Sequence, residues 1–293
     1  MRRILLHRTA AQKGGATGAT IAVSFEGRLE QAGESVSSAA ARFDGLMIDV
    51  DGTLLVHDRA VPGAADLLAR CAKRGLPYRI VTNTTRRSRA ATAAALRSAG
   101  LDVPDELVLQ PAVLARRRIL DSGRPRAGLL VPEEVRADLA GVEEDPRAPD
   151  WVLLGDIGRR FDFESLNQAF RWLRGGARLL ALHKNPCWQP SAEAGWVLDA
   201  GAFVAALEYA AGVTAEVVGK PSPAFFQLAL RDMNLQPDQV LVVGDDVVSD
   251  GRGGAGAGCR TALVGTGKFQ GSAEELAGFA PDLVLGSVAD LVV

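Results

Sequence analysis

Residues 45–55 read GLMIDVDGTLL, an apolar run that ends on two carboxylates, Asp49 and Asp51, and then turns at Gly52-Thr53. Alternate residues of an extended strand share a face, so the two carboxyls point the same way about 6–7 Å apart. Like charges so placed repel unless something positive sits between them. The rest of the chain has to supply it. Gly52 permits the tight turn, and Thr53 is expected to brace it by hydrogen bonding.

Outward from this stretch the pattern is regular. LMIDV reads as a buried strand. Ala64, Leu67, Leu68 and Cys71 recur at helical spacing, Gly75 closes that helix, and YRIVT (78–82) returns as a second strand. A further helix is expected from Ser88 to Gly100. Such a βαβ unit implies a parallel sheet whose strand ends face a common side. The same grammar resumes late in the chain with EVVG (216–219), a helix from Pro223 to about Met233, an apolar strand running into Asp245 and Asp246, TALV (261–264) and DLVL (282–285). Uniformly apolar strands belong in a sheet covered on both faces.

Residues 105–203 alternate on their own: helix 111–121, strand 127–131, a helix after Pro132, strand 151–154, helix 164–174, strand 177–182. The expected architecture is therefore α/β, a three-layer, Rossmann-like parallel-sheet core from 43–104 and 204–293 with an α/β domain, 105–203, inserted into it. Residues 1–42, rich in Gly, Ala, Ser and Thr without a sustained period, read as a disordered N-terminal extension.

At 293 residues the chain can bury one large or two modest cores, and 47% hydrophobic with 23% charged residues is the composition of a soluble globular protein. A net charge of −2 gives no bulk attraction to nucleic acid or anionic membrane. Cys71, Cys187 and Cys259 lie far apart without a C-x-x-C pair, which fits a reducing cytoplasm rather than a disulfide framework. No apolar run approaches a membrane span.

Four strand ends carry unusual residues: Asp49 and Asp51 on the first, Thr82 and Asn83 on the second, Lys220 in VVGKPS, and Asp245, Asp246 and Asp250 in VGDDVVSD. Each has a plain explanation when taken alone. A lone D-x-D is most often a solvated turn, a lone lysine a surface group, a strand-end threonine a partner for the backbone. Together, carboxylates with one lysine and one hydroxyl at the ends of parallel strands are hard to justify as packing.

In that order, DVDGTL, VTN, GKPSP and GDDVVSD resemble the four motifs of the haloacid dehalogenase superfamily, in the branch (subfamily IIA) whose C2-type α/β cap is inserted between the second and third motifs. LHKNPCW, ALEYAAG, VVGKPSPAFF and TGKF (266–269) are most similar to the group containing the phospholysine phosphohistidine inorganic pyrophosphate phosphatase. The similarity covers residues 43–293. It implies a magnesium-dependent phosphatase acting through a phosphoaspartate on a small phosphorylated substrate, with pyrophosphate and N-phosphorylated amino acids in range. Asp49 would be the nucleophile, Asp51 the acid and base, and Lys220 the cation that neutralises Asp49 and a phosphoryl oxygen. Thr82, Asn83 and Thr84 would bind the phosphoryl group. The metal would be held by Asp49, Asp245 and the carbonyl of Asp51, with Asp246 and Asp250 acting through water or orienting Lys220. Magnesium favours such oxygen ligands and would relieve the repulsion around Asp49.

The resemblance also places His183, Lys184, Asn185 and Trp188 in a cap loop that selects substrate, with Asp156 beside them, and implies a homodimer formed through the cap. Taken bare, a tryptophan is most often core and a histidine a satisfied polar group. The chain departs from the pattern after Asp250, where Val or Ile and then a Gly-Ala pair three residues on are expected, and Gly251, Arg252 and Gly253-Gly254 stand instead. GRGGAG (251–256) formally matches G-x-G-x-x-G, but acids intervene between it and its strand and would repel a dinucleotide's phosphates. Arg116, Arg117 and Arg118 read as a solvated helix face. A dehalogenase is disfavoured by Asp51, because departing halide needs no acid. The alternative from another class is a catalytically weak, phosphate-binding regulatory protein on the same fold.

Overall fold

A computed structural model describes residues 5–8, 21–24, 43–188 and 195–293. The expected extension, 1–42, lies outside the described residues apart from Leu5–Arg8 and Ile21–Ser24, which pair antiparallel. The chain forms two compact units, Met1–Val81 with Ala95–Leu107 and Ala229–Val293, and Thr82–Ala94 with Val108–Leu228.

In the first unit five parallel strands lie in the order Leu283–Leu285, Arg260–Val264, Val240–Gly244, Gly45–Asp49, Tyr78–Val81. Gly45–Asp49 and Val240–Gly244 are buried at every position, as their unbroken apolar sequence requires of central strands. Each fully buried Leu, Ile, Val or Met contributes about 1.5–3 kcal/mol. The helix Ala64–Arg74 turns Ala64, Leu67, Leu68 and Cys71 inward, and Gly75 ends it in the left-handed conformation.

Sheet register positions the acids. Val243 pairs with Ile48, so the chain leaves the two neighbouring strands at Asp49 and Asp245 on the same edge. The turn after Asp49 is closed by the main chain: Leu54 and Leu55 N–H donate to the Val50 carbonyl at 2.9 and 2.8 Å, and Gly52 N–H donates to the Leu55 carbonyl at 2.7 Å. Thr53, expected to brace this turn through its hydroxyl, is fully buried with no hydrogen-bond partner for Oγ1 among the described residues. Beyond the turn, Leu55–Val56 and Arg59–Ala60 form a hairpin whose two loop residues, His57 and Asp58, both take positive φ, as a type I′ turn demands.

The second unit is built on another parallel sheet, in the order Glu216–Val217, Arg178–Ala181, Trp151–Leu154, Arg126–Leu130, Glu143–Glu144. Pro111–Asp121, Phe163–Arg174 and Ala200–Ala211 are its helices, the second started by an Asp162–Ser165 capping box. Glu216–Val217, read from the sequence as part of the core sheet, instead extends this second sheet beside Arg178–Ala181. Two strand residues are too few for a periodic signal to assign them to a sheet. No helix among the described residues is long and apolar enough to cross a membrane.

Candidate active site

At the carboxyl edge of the first sheet, Asp49, Asp245 and Asp250 are all buried, and each offers a carboxylate oxygen within 4.8 Å of the others. Asp250 reaches this cluster from a π-helical turn, Val247–Arg252, that follows the strand Val240–Gly244. Gly244 lies beneath its carboxyl, where a β-carbon would fall on the Asp250 side chain. Burial, and then the charge of Asp250, push the Asp245 carboxyl up to about 6 from its ordinary 3.8. Three carboxylates held this close in a dry site favour uptake of a positive charge, and an all-oxygen donor set suits a hard divalent cation. The residues therefore fit magnesium.

The structure separates the two adjacent acids after Val240–Gly244. Asp245 joins the cluster. Asp246 lies outside it: Oδ1 accepts from the N–H groups of Val248 and Ser249, both at 2.9 Å, and Oδ2 accepts from Lys268 Nζ at 2.8 Å. Burial favours the neutral form of Asp246, but Lys268 and the two amide donors outweigh it and hold its pKa below the ordinary carboxylate range. Asp51 is exposed at the turn after Asp49 and bridges to Leu55.

Lys268 has no part in the reading of the motifs beyond its place in TGKF, yet it touches both acids. Its main-chain N–H donates to Asp245 Oδ2 at 2.7 Å while its ammonium binds Asp246. The Lys268 side chain is largely exposed, and although partial desolvation lowers its ammonium's pKa, the charges of Asp246, Asp245 and Asp49 more than reverse the effect.

The atypical Gly251-Arg252 pair has a local reason. A β-carbon on Gly251 would come 2.7 Å from Phe279 Cε1. Arg252 lies over the Phe279 ring and donates to the carbonyls of Leu276 and Ala277 at 2.8 and 2.9 Å, at the end of the short helix Ala273–Leu276. A branched side chain at 251 would collide with Phe279, and a short one at 252 would lose the ring contact and the hydrogen bonds.

The second unit carries the other predicted residues. Thr82 and Lys220 are buried, and Asn83 and Thr84 are half-buried. Thr84 N–H donates to Thr82 Oγ1 at 3.1 Å. Asn83 brackets the main chain of Lys220, its Nδ2 donating to the Lys220 carbonyl at 2.9 Å and its Oδ1 accepting the Lys220 N–H at 2.8 Å. Gly219 permits this approach, since a β-carbon there would meet Asn83 Oδ1 at 2.7 Å.

In the same unit His183 is buried, with Nε2 3.3 Å from Thr85 Oγ1 and 3.6 Å from Asp199 Oδ1, while Asn185 N–H donates to Nδ1 at 3.3 Å. Lys184 Nζ binds Glu208 at 2.6 Å. Arg86, which no sequence motif singles out, lies over the Trp188 ring with its guanidinium carbon 4.5 Å from the centroid and donates from Nε to Asp156 at 2.5 Å. Asp156 and Trp188 are thus joined through one arginine.

Comparison with known proteins agrees with this fold. The family described as haloacid dehalogenase-like hydrolase matches residues 46–143, and a second HAD-hydrolase-like family matches residues 217–291. The chain is 36% identical over 243 residues to haloacid dehalogenase-like hydrolase domain-containing protein 2 of Bos taurus, covering 83% of this chain and 92% of that protein. It is 37% identical over 236 residues to the phospholysine phosphohistidine inorganic pyrophosphate phosphatase of Danio rerio, covering 78% and 86%. Among solved structures, the 4-nitrophenylphosphatase of Thermotoga maritima superimposes with a TM-score of 0.79 at 28% identity, covering 86% of this chain and 97% of that one. The Rossmann-like core with an α/β cap, the order of the motifs and the likeness to relatives along most of their length lead to one assignment: the chain belongs to the haloacid dehalogenase-like hydrolase family.

Proposed function

We propose that the chain is a magnesium-dependent phosphohydrolase that transfers the phosphoryl group of a small compound to Asp49 and then to water. The observation that carries this reading is the buried trio Asp49, Asp245 and Asp250. Crowded carboxylates without a cation would destabilise the fold. With one they form a phosphate-binding centre. The names of the relatives, a pyrophosphate and phospholysine phosphatase and a 4-nitrophenylphosphatase, support phosphate compounds as the substrate class.

In the proposed reaction an Asp49 oxygen attacks phosphorus, and the bond from phosphorus to the leaving oxygen breaks as Asp51, in its acid form, protonates that oxygen. Asp51, now a carboxylate, takes a proton from water as the water oxygen attacks the phosphoaspartate. The bond between phosphorus and Asp49 breaks, releasing phosphate and restoring the carboxylate. Lys220 supplies positive charge to the phosphoryl oxygens, and Thr82 with the Asn83 and Thr84 amides supplies hydrogen bonds. Asp49, Asp245, Asp250 and the Asp51 carbonyl would hold magnesium, which would offset the negative charge that makes phosphate esters resist anionic nucleophiles. His183, Lys184, Asn185 and Trp188 are proposed to select the substrate. Exposed Trp196, Leu198 and Tyr209 support self-association through the second unit.

The test is phosphate release from a panel of pyrophosphate, phospholysine, 4-nitrophenyl phosphate, sugar phosphates and nucleotides. Turnover with magnesium that stops in chelator and returns on adding the ion is the expected result. Turnover indifferent to chelation, or equal in Asp49→Asn, would overturn the proposal.

A further inference from the structure

After the strand Arg260–Val264 the chain runs through Gly265-Thr266-Gly267-Lys268-Phe269, and this loop grips the cluster from two sides. On one side two successive N–H groups meet one residue: Lys268 N–H donates to Asp245 Oδ2 at 2.7 Å, and Phe269 N–H to the Asp245 carbonyl at 2.9 Å. On the other, Thr266 Oγ1 donates to the Gly52 carbonyl at 2.5 Å, in the turn that follows Asp49 and Asp51.

Gly267 lies between these two attachments. A β-carbon there would sit 2.6 Å from Asp245 Cγ and 2.7 Å from Gly52 Cα, and one on Gly52 would sit 2.9 Å from Gly267 Cα. The loop is itself anchored, because Phe269 is buried with Val247, Leu263 and Leu276. Turn and loop therefore pack backbone against backbone at Gly52 and Gly267, and the Asp245 carboxylate lies directly against both glycines. Displacing one must displace the others.

The consequence is chemical. The amide hydrogen bond to Oδ2 fixes the orientation of the Asp245 carboxylate, so a cation bound there would meet a ligand already held in place. The Lys268 ammonium meanwhile occupies Asp246, which removes a competing acid from the same strand end.

We propose that Thr266–Phe269 is a positioning clasp that couples the Asp49–Gly52 turn to Asp245 and sets the affinity of the site for its divalent cation. The clasp rests on the reading of Asp49, Asp245 and Asp250 as that cation's site. Its residues touch ligand and turn rather than substrate, so they act through Asp245 and Gly52. Groups that orient metal ligands in this way change affinity by about 10- to 100-fold when removed.

The test is magnesium affinity by titration calorimetry on the full chain without substrate, together with melting in chelator. Thr266→Val deletes the hydroxyl at nearly constant shape, Gly267→Ala inserts the obstructing β-carbon, and Thr266→Ser restores the donor. The expected result is affinity weaker by about 10- to 100-fold in Thr266→Val and Gly267→Ala, recovery in Thr266→Ser, and a melting temperature in chelator little changed in Thr266→Val. Folded Thr266→Val that binds magnesium as the parent does overturns the clasp, even if Gly267→Ala fails to fold. A parent chain that binds no magnesium overturns the cation site itself, a result distinct from the first.

Discussion

Arg252 stands with its guanidinium carbon 5.7 Å from the centre of the Phe279 ring while its terminal nitrogen ties down the last carbonyls of the helix Ala273–Leu276. The contact joins the turn that bears Asp250 to a segment more than twenty residues on. Arg252→Ala removes a cation–π contact and two charge-assisted hydrogen bonds, so stability should fall by about 1–2 kcal/mol in thermal or denaturant melts. Arg252→Lys should recover only part, because an ammonium lacks the planar fork. A melting curve unchanged in Arg252→Ala would refute this.

Gly251→Val restores the residue type that the family pattern places after Asp250. Here it should destabilise by about 1–3 kcal/mol, because the new side chain must displace Phe279. Combining it with Phe279→Ala should cost less than the sum of the two single changes, and a double-mutant cycle in denaturant measures the difference. Strict additivity would show that the steric conflict is absent.

Asp49→Asn should abolish turnover, by roughly a thousandfold or more, since an amide oxygen is a poor nucleophile. The same change removes one of three crowded charges, so in chelator the variant should melt at or above the temperature of the parent. Phosphate release and melting are read on the same preparation. Lost activity with an unfolded protein would contradict the prediction.

Asp245 makes stability depend on pH in the metal-free chain. Its folded pKa is about 6 against an ordinary 3.8, so the folded state holds its proton more tightly than the unfolded one. The stabilisation is fully present below the unfolded value and is lost as pH rises through about 6. Magnesium competes with that proton, so the rise in melting temperature on adding the ion should be larger near pH ~7.5 than near pH ~5. At a hundredfold excess over its dissociation constant the ion would add about 2.7 kcal/mol. Equal shifts at the two pH values would count against Asp245 as a ligand.

Asn83→Asp keeps the oxygen that accepts from Lys220 N–H and loses the Nδ2 donor to the Lys220 carbonyl. The loop carrying Lys220 should loosen, with kcat lowered about tenfold or more, and Asn83→Ala should lower it further. Steady-state kinetics on the best substrate of the panel measures both. Retention of full kcat in Asn83→Ala would show that the bracket has no bearing on Lys220.

Much of this was legible before folding was considered. Asp49 ends an apolar strand, Asp51 lies two residues past it and Asp245 follows another at once, and a strand's end is a local property of the chain. The helices Ala64–Arg74 and Pro111–Asp121 were readable for the same reason, from apolar spacing and from the Gly or Pro at their ends. Thr53 was not, because a hydroxyl's partner depends on which main-chain groups the turn has already used. Nor was Glu216–Val217, whose sheet is chosen by the neighbour that reaches it. Arg86 was hidden among many other basic residues, and for Arg252 and Lys268, whose places in the chain were noted, only the contacts with Phe279 and with Asp245 and Asp246 show what they do.

The amino-acid order by itself determined which segments are buried strands and which acids sit at their ends, because backbone propensity and apolar periodicity act over a few residues. Tertiary structure alone decided that Val243 pairs with Ile48, that Asp250 joins Asp49 and Asp245 in one cluster, and that a loop from Thr266 holds Asp245 there. Those choices follow from register and close packing between segments 23 to 214 residues apart, and no local property of either segment encodes the distance between them.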